Sequence, residues 1–186
     1  MFTFPNKVIA VSRRQICPRP LEEQVYRIAE NGICRLILRE KDLAEEDYLR
    51  LAERVLRSCE RCGVELTIHN FPNAARELGI KRLHMPLPKL TAELCAEFET
   101  VGSSVHSAEQ LEQAKRLGAK YVTAGHIFVT NCKKGLPPRG LDFLRDMCER
   151  ANVPVYAIGG INADNAEMAL NAGADGVCVM SAIMQM

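Results

Sequence analysis

A (β/α)₈ barrel is the fold class the sequence predicts, and three observations predict it. The first is a recurrence: "AENGICRLIL" (29–38), "ERCGVELTI" (60–68), "ARELGIKRLHM" (75–85), "AKRLGAKYVTA" (114–124) and "ALNAGADGVCV" (169–179) share one plan. Each is a polar or alanine-rich helix end, then glycine, then a short apolar run. Glycine suits the left-handed position that stops a helix. The second is the makeup of the runs, which are short and rich in Val, Ile and Leu, as strands buried on both faces should be. The third is the amphipathic segment before most of these glycines. Strict β-α alternation implies right-handed crossovers and a parallel sheet. An open doubly wound sheet is the structural alternative.

Taken in order, the strands fall near 7–12, 34–39, 64–68, 81–85, 100–104, 120–124, 153–158 and 175–179, with helices between them. "EEDYLRLAERVLRSCER" places Tyr48, Leu51, Ala52, Val55 and Leu56 on one helical face. "SAEQLEQAKRL" opens on Ser107, an N-cap with Gln110 three residues on, as in a capping box. "NADNAEMALNA" opens on Asn162 in the same role. The 186 residues make one domain, 1–186, yet barrels of this kind run to about 250 residues with about 200 as the lower end. The chain ends on "MSAIMQM" just after the last strand, so the eighth helix is expected to be truncated or missing. A flank left bare is covered by a partner subunit, and a homodimer is expected.

Apolar residues make up 47% of the chain, enough for a core, and the formal net charge is +1. That leaves no basic footprint for nucleic acid. No signal peptide and no bilayer-spanning run are visible, so a cytoplasmic protein with no membrane partner is expected. The eight cysteines sit in too large a chain for a disulfide scaffold. Cys59 and Cys62 form a lone CxxC at the end of a helix-like segment, without the second pair a zinc ribbon needs, and read as structural.

In a parallel barrel the active site lies at the C-terminal ends of the strands. Polar residues collect there: Arg39, Lys41, His69, Asn70, Ser104, His106, His126, Thr130, Lys133, Gly159 and Gly160. "AIGGINADN" has two glycines at a strand end, which let a phosphate approach the backbone, and a helix from Asn162 would offer its N-terminal amides. "VMSAI" after the next strand adds Met180 and Ser181. Arg39 and Lys41 are two apart and face the same side of an extended strand, a spacing ordinary surface charge also produces. His84, inside "RLHMP", reads as a satisfied structural residue, and His106 as part of a helix entry. His126 follows a glycine at a strand end, where an imidazole can take and return a proton near neutral pH.

From "ILREKDL" and the long stretch from "SSVHSAEQ" through "YVTAGHIFVTNCKKG" to "AIGGINADN" and "VMSAI", the chain resembles the thiamine phosphate synthase/TenI superfamily. The resemblance implies a (β/α)₈ barrel and one of two activities. One couples a pyrimidine diphosphate to a thiazole phosphate with magnesium; the other, a thiazole tautomerase, aromatises a carboxythiazole ethyl phosphate. Where the synthase has magnesium-binding acids after strands three and four, this chain has His69-Asn70 and His84-Met85-Pro86-Leu87-Pro88. Where synthases usually read GPIF, it reads Gly125-His126-Ile127-Phe128, as TenI-like proteins do. The resemblance therefore implies an isomerase, a metal-independent thiazole tautomerase without cofactor, with His126 as proton shuttle. It assigns Arg39, Lys41, Asn70, Ser104, Thr130 and Lys133 to substrate, and Gly159, Gly160, Met180 and Ser181 to the phosphate of a small-molecule thiazole phosphate. The alternatives are the synthase itself and a non-catalytic regulatory or thiazole-phosphate-binding protein.

Overall fold

The strands observed in a computed structural model, which describes residues 2–130 and 135–186, are β1 (Val8–Val11), β2 (Arg35–Leu38), β3 (Glu65–His69), β4 (Arg82–Pro86), β5 (Thr100–Val105), β6 (Tyr121–Gly125), β7 (Val155–Ile158) and β8 (Gly176–Val179). Each lies within a residue or two of its sequence expectation. All are parallel, in chain order. The barrel closes where Val8, Ile9 and Ala10 stand opposite Val177, Cys178 and Val179, which excludes the open sheet. The helices are α1 (Leu21–Glu30), α2 (Glu45–Cys62), α3 (Pro72–Glu77), α4 (Ala92–Glu97), α5 (Ala108–Arg116), α6 (Gly140–Arg150), α7 (Ala166–Asn171) and α8 (Ser181–Met184).

Alternation along the strands divides the core in two. One face packs on the helices in a continuous layer that includes Leu36, Leu38, Ile68, Leu83 and Val122. The other fills the barrel, where Ile9, Val11, Ile37 and Cys178 meet Tyr156, Ile158 and Met180. Tyrosines also occupy the barrel interior because glycines leave them room. A Cβ on Gly102 would lie 2.0 Å from the Tyr121 ring, and one on Gly176 would lie 2.8 Å from that of Tyr156.

The recurrent helix-stopping glycine behaves as its position requires. Gly63 ends α2 at φ 70° and its N–H donates to the Cys59 carbonyl. Gly32, Gly79, Gly118 and Gly173 repeat the positive φ. On α2, Tyr48, Leu51, Ala52 and Val55 are buried, with Leu56 partly so. The Ser107 hydroxyl caps α5 by accepting from the Gln110 N–H at 3.3 Å. The Gln110 side chain closes the motif one residue early, accepting from the N–H of His106 at 2.7 Å. Asn162 departs from expectation. Its Oδ1 accepts from the N–H groups of Asp164 (2.9 Å) and Asn165 (3.2 Å), a local turn that delays α7 to Ala166. The last helix is a four-residue stub. Side chains from earlier in the chain tie this end down: Gln24 Nε2 donates to the Ile183 carbonyl in the helix at 2.6 Å, and Arg19 Nη1 to that of Met186 beyond it at 2.6 Å.

Candidate active site

A cavity of about 930 Å³ opens at the C-terminal ends of the strands. Its β2–β5 wall is set by interactions that no local pattern announces. The Tyr48 hydroxyl, on α2, donates to the Leu38 carbonyl at 2.6 Å and accepts from the His69 N–H at 3.2 Å, tying the ends of β2 and β3 together. Glu40, buried just beyond β2, accepts from the Ser12 hydroxyl at 2.7 Å, from the Arg14 N–H at 3.0 Å and from the Arg14 guanidinium at 3.1 Å. The Ser12 hydroxyl oxygen also accepts from the Arg39 N–H at 2.7 Å. With Glu40 turned inward and held, Arg39 and Lys41 on either side of it border the cavity. Arg14 continues outward to Asp42, and that contact holds the Asp42 carboxyl down at about 2.

His69 and His84 complete this wall, their rings stacked with centroids 5.7 Å apart. Burial, then the neighbouring His84, Arg39 and Lys41 charges, holds the His69 imidazole down at about 2. Burial, followed by Arg39 and Lys41, holds His84 at about 3. Both rings are therefore neutral near pH 7. His84 is bonded at both nitrogens, to Tyr121 Oη at 3.0 Å and Ser104 Oγ at 2.9 Å, so it is the satisfied residue its setting predicted and also a wall of the cavity.

The opposite wall is mostly backbone. Gly125 ends β6 beside the β7 backbone, where a Cβ would come 2.2 Å from the Ile158 carbonyl oxygen. His126 follows, nearly buried, with its Nε2 3.4 Å from the Leu136 carbonyl oxygen, a long and weak contact. The imidazole of His106 donates from Nδ1 to the Gly125 carbonyl at 2.7 Å. Gly159 and Gly160 both take positive φ, at 102° and 68°. A Cβ on Gly159 would meet the His126 Cβ at 2.3 Å, and one on Gly160 would meet the Val129 carbonyl oxygen at 2.3 Å, so neither glycine leaves room for a side chain.

Of the expected site residues, Arg39, Lys41, Ser104 and Thr130 border the one cavity, as do His126, Gly159, Gly160, Met180 and Ser181. Asn70 does not reach its wall. Its backbone is left-handed at φ 69°, and its Oδ1 is buried without a hydrogen-bond partner among the described residues. Lys133 lies outside the described residues. The helix amides expected after the Gly159-Gly160 pair are not offered either, because Asn162 consumes those of Asp164 and Asn165. Sequence reasoning missed Ser12, Glu40, Tyr48 and Tyr121 as builders of the site.

The magnesium of the synthase branch finds no fitting set here. Among the described residues, no group of three His, Cys, Asp or Glu could hold a metal ion. The ends of β3 and β4 carry His69, Asn70 and His84, and Glu40 is engaged by Ser12 and Arg14. Magnesium prefers carboxylate oxygens with substrate phosphates. The CxxC is structural in its setting: burial pushes the Cys59 thiol up to about 12, and Cys62 Sγ lies 3.0 Å from the Ser58 carbonyl oxygen.

A closed parallel barrel with a cavity at the C-terminal ends of its strands, lined by Arg39, Lys41 and the Gly159-Gly160 turn, places the chain in the class of (β/α)₈ barrels with a site at that face. The family model described as "Thiamine monophosphate synthase" matches residues 8–183, and the chain belongs to that family. It is 30% identical over 95% of its length to the thiamine-phosphate synthase of Syntrophomonas wolfei, covering 87% of that protein. It is 34% identical over 91% of its length to that of Thermus thermophilus, covering 86%. A solved thiamine phosphate pyrophosphorylase from Pyrococcus furiosus superposes with a TM-score of 0.85 at 26% identity, over 98% of this chain and 89% of that one. FabK of Thermotoga maritima, at 16% identity and a TM-score of 0.71, shares the fold.

These relatives correct the expectation of an isomerase. They are named as synthases, which are transferases, and the similarity extends over nearly the whole barrel. The isomerase expectation rested on the missing magnesium acids and on His126, whose Cα and Cβ in the structure lie against Gly159 and whose ring has, among the described residues, the weak contact to Leu136. No helix among the described residues is long and apolar enough to cross a membrane.

Proposed function

We propose that the chain is a transferase of the thiamine-phosphate synthase kind, joining a thiazole phosphate to a pyrimidine carried as its diphosphate. In that reaction the thiazole nitrogen forms a C–N bond to the exocyclic carbon of the pyrimidine. The C–O bond to the diphosphate breaks, and diphosphate leaves with the bonding pair. The observation that carries the reading is a single cavity lined by two anion-compatible sets of residues from different strands. Arg39 and Lys41 line it after β2, and the Gly159-Gly160 turn and Ser181 line it after β7 and β8. At about 930 Å³ the space is at the upper end of the 300–1,000 Å³ typical of ligand pockets, which suits two small substrates side by side.

In this reading Arg39 and Lys41 receive the diphosphate and bear on the charge it gains as it leaves. The backbone of Gly159 and Gly160, with Ser181, holds the thiazole phosphate. The neutral rings of His69 and His84 face the reacting groups without adding charge. His126 shapes the floor beneath the glycine turn. Bringing two reactants into one cavity supplies proximity, which is a large share of what such a reaction needs. The test is direct: the purified protein is mixed with both precursors and thiamine phosphate is followed by its fluorescent oxidation product. Formation that depends on the protein and falls at least tenfold in Arg39→Ala supports the transferase.

A second reading has one observation in its favour, the absence of any carboxylate at the ends of β3 and β4 among the described residues. On that ground the chain would bind thiazole phosphate without turnover. Saturable thiazole-phosphate binding with no thiamine phosphate formed would decide for it.

A further inference from the structure

A chain of side chains crosses the barrel interior and ends on the cavity. The Arg35 guanidinium donates to Tyr156 Oη at 2.8 Å, and the Tyr156 ring meets the edge of Tyr121 at 5.6 Å. Tyr121 Oη stands 3.0 Å from His84 Nδ1. His84 Nε2 stands 2.9 Å from Ser104 Oγ, and Thr123 Oγ1 donates to that same oxygen at 3.0 Å. Of these, His84, Ser104 and Thr123 border the cavity.

The proton positions follow from counting donors and acceptors. The Tyr121 hydroxyl is buried, and among the described residues its hydrogen-bond partner is His84 Nδ1. Were Nδ1 the donor, the phenolic proton would be left buried without an acceptor, at a cost of about 1–3 kcal/mol. Tyr121 therefore donates, and Nδ1 accepts. A neutral imidazole that accepts at Nδ1 carries its proton on Nε2. Burial with the Arg39 and Lys41 charges keeps the ring neutral. Nε2–H then donates to Ser104 Oγ. Thr123, also buried, gives its own proton to the same oxygen. Both lone pairs of the Ser104 oxygen are filled, and its proton finds no acceptor among the described residues.

We infer that Tyr121, acting through His84, fixes the Ser104 hydroxyl as a hydrogen-bond donor into the cavity, so that this wall takes an acceptor atom of the ligand and refuses a donor. Tyr121 is a positioning residue and Ser104 a specificity-determining one. The acceptor is an unprotonated heterocyclic nitrogen or a phosphate oxygen. The identity of the ligand rests on the transferase reading; the polarity of the wall does not.

The experiment is nitrogen-proton correlation spectroscopy of histidine-labelled free protein. The His84 ring is expected as the Nε2–H tautomer, and to remain so in Ser104→Ala, because Tyr121 sets it. In Tyr121→Phe, Nδ1 loses its donor and a population of the Nδ1–H tautomer appears. A ring found as Nδ1–H in the wild type, one that switches in Ser104→Ala, or one indifferent to Tyr121→Phe overturns the inference. In a ligand arm, inorganic phosphate and the unphosphorylated aminopyrimidine alcohol are each titrated into wild type and Ser104→Ala. A loss of about tenfold for one names the acceptor as oxygen or as ring nitrogen; equal binding of both to the two proteins overturns the donor role. None of these readouts needs turnover, so failure to make thiamine phosphate would leave them standing.

Discussion

Two walls face each other across the cavity, and they are held by different means. From β1 to β5 the wall consists of side chains fixed by other side chains: Glu40 by Ser12 and Arg14, the ends of β2 and β3 by Tyr48, His84 by Tyr121 and Ser104. From β6 to β8 it consists of backbone brought close by glycine, with His126 pressed against Gly159. A wall of the first kind can be retuned by changing charge or hydrogen bonding while its shape persists. A wall of the second kind has no atoms to spare, and its failure is steric. The difference also divides the proposed chemistry, with cations at the adjustable end and a phosphate cradle at the rigid one.

Acid should strain the side-chain wall most. His69 and His84 are held neutral in the fold at about 2 and about 3, against an ordinary 6.5. Below about pH 6.5 the unfolded chain takes up protons that the folded chain refuses, so stability falls with falling pH until the folded values are reached. Each histidine contributes up to about 1.4 kcal/mol per pH unit, and the pair roughly 2–5 kcal/mol between pH 6.5 and 4.5. Urea denaturation across that range measures it, and His84→Asn should flatten the slope. An unchanged slope would show that His84 contributes nothing to it.

The glycine wall should break with one methyl. Gly159→Ala meets the His126 Cβ at 2.3 Å and must also hold φ at 102°, so a loss of about 2–4 kcal/mol is expected by urea denaturation. Tyr48→Phe tests the opposite wall more gently. It leaves the Leu38 carbonyl and the His69 N–H without their buried partner and should cost about 1–3 kcal/mol. The smallest effect is a binding one: Arg39→Ala should weaken diphosphate by about tenfold, or about 1.4 kcal/mol. Calorimetric titration with inorganic diphosphate reads it, and equal affinity would remove Arg39 from the anion site.

The rigid wall was far more legible in the sequence than the adjustable one. Glycine before five of the eight strands, the Gly159-Gly160 pair and the Ser107 cap are local signals, because a left-handed turn or a cap is written within a few residues. The strands followed from the same repeat. Glu40, Ser12, Tyr48 and Tyr121 left no such trace, since their partners lie some 10 to 37 residues away and meet them only once separate elements pack together. Tyr48 showed as one apolar position on a helix, and its hydroxyl carried no periodic signal. Asn162 misled for the reverse reason, since an Asn before a helix-forming run fits a cap and a separate turn equally well. His126 weighed too heavily, because one residue with familiar chemistry stood out where the relatives similar over nearly the whole barrel are named as synthases.

The proposed condensation requires the Arg39–Lys41 side and the Gly159–Gly160 side of the cavity to be occupied together. Calorimetric titration of thiazole phosphate, with and without saturating inorganic diphosphate, measures this directly. Simultaneous binding is predicted, with the thiazole-phosphate Kd changed by less than about threefold, within about 0.7 kcal/mol. Mutually exclusive binding, in which diphosphate displaces thiazole phosphate, would contradict the two-sided site and the condensation built on it.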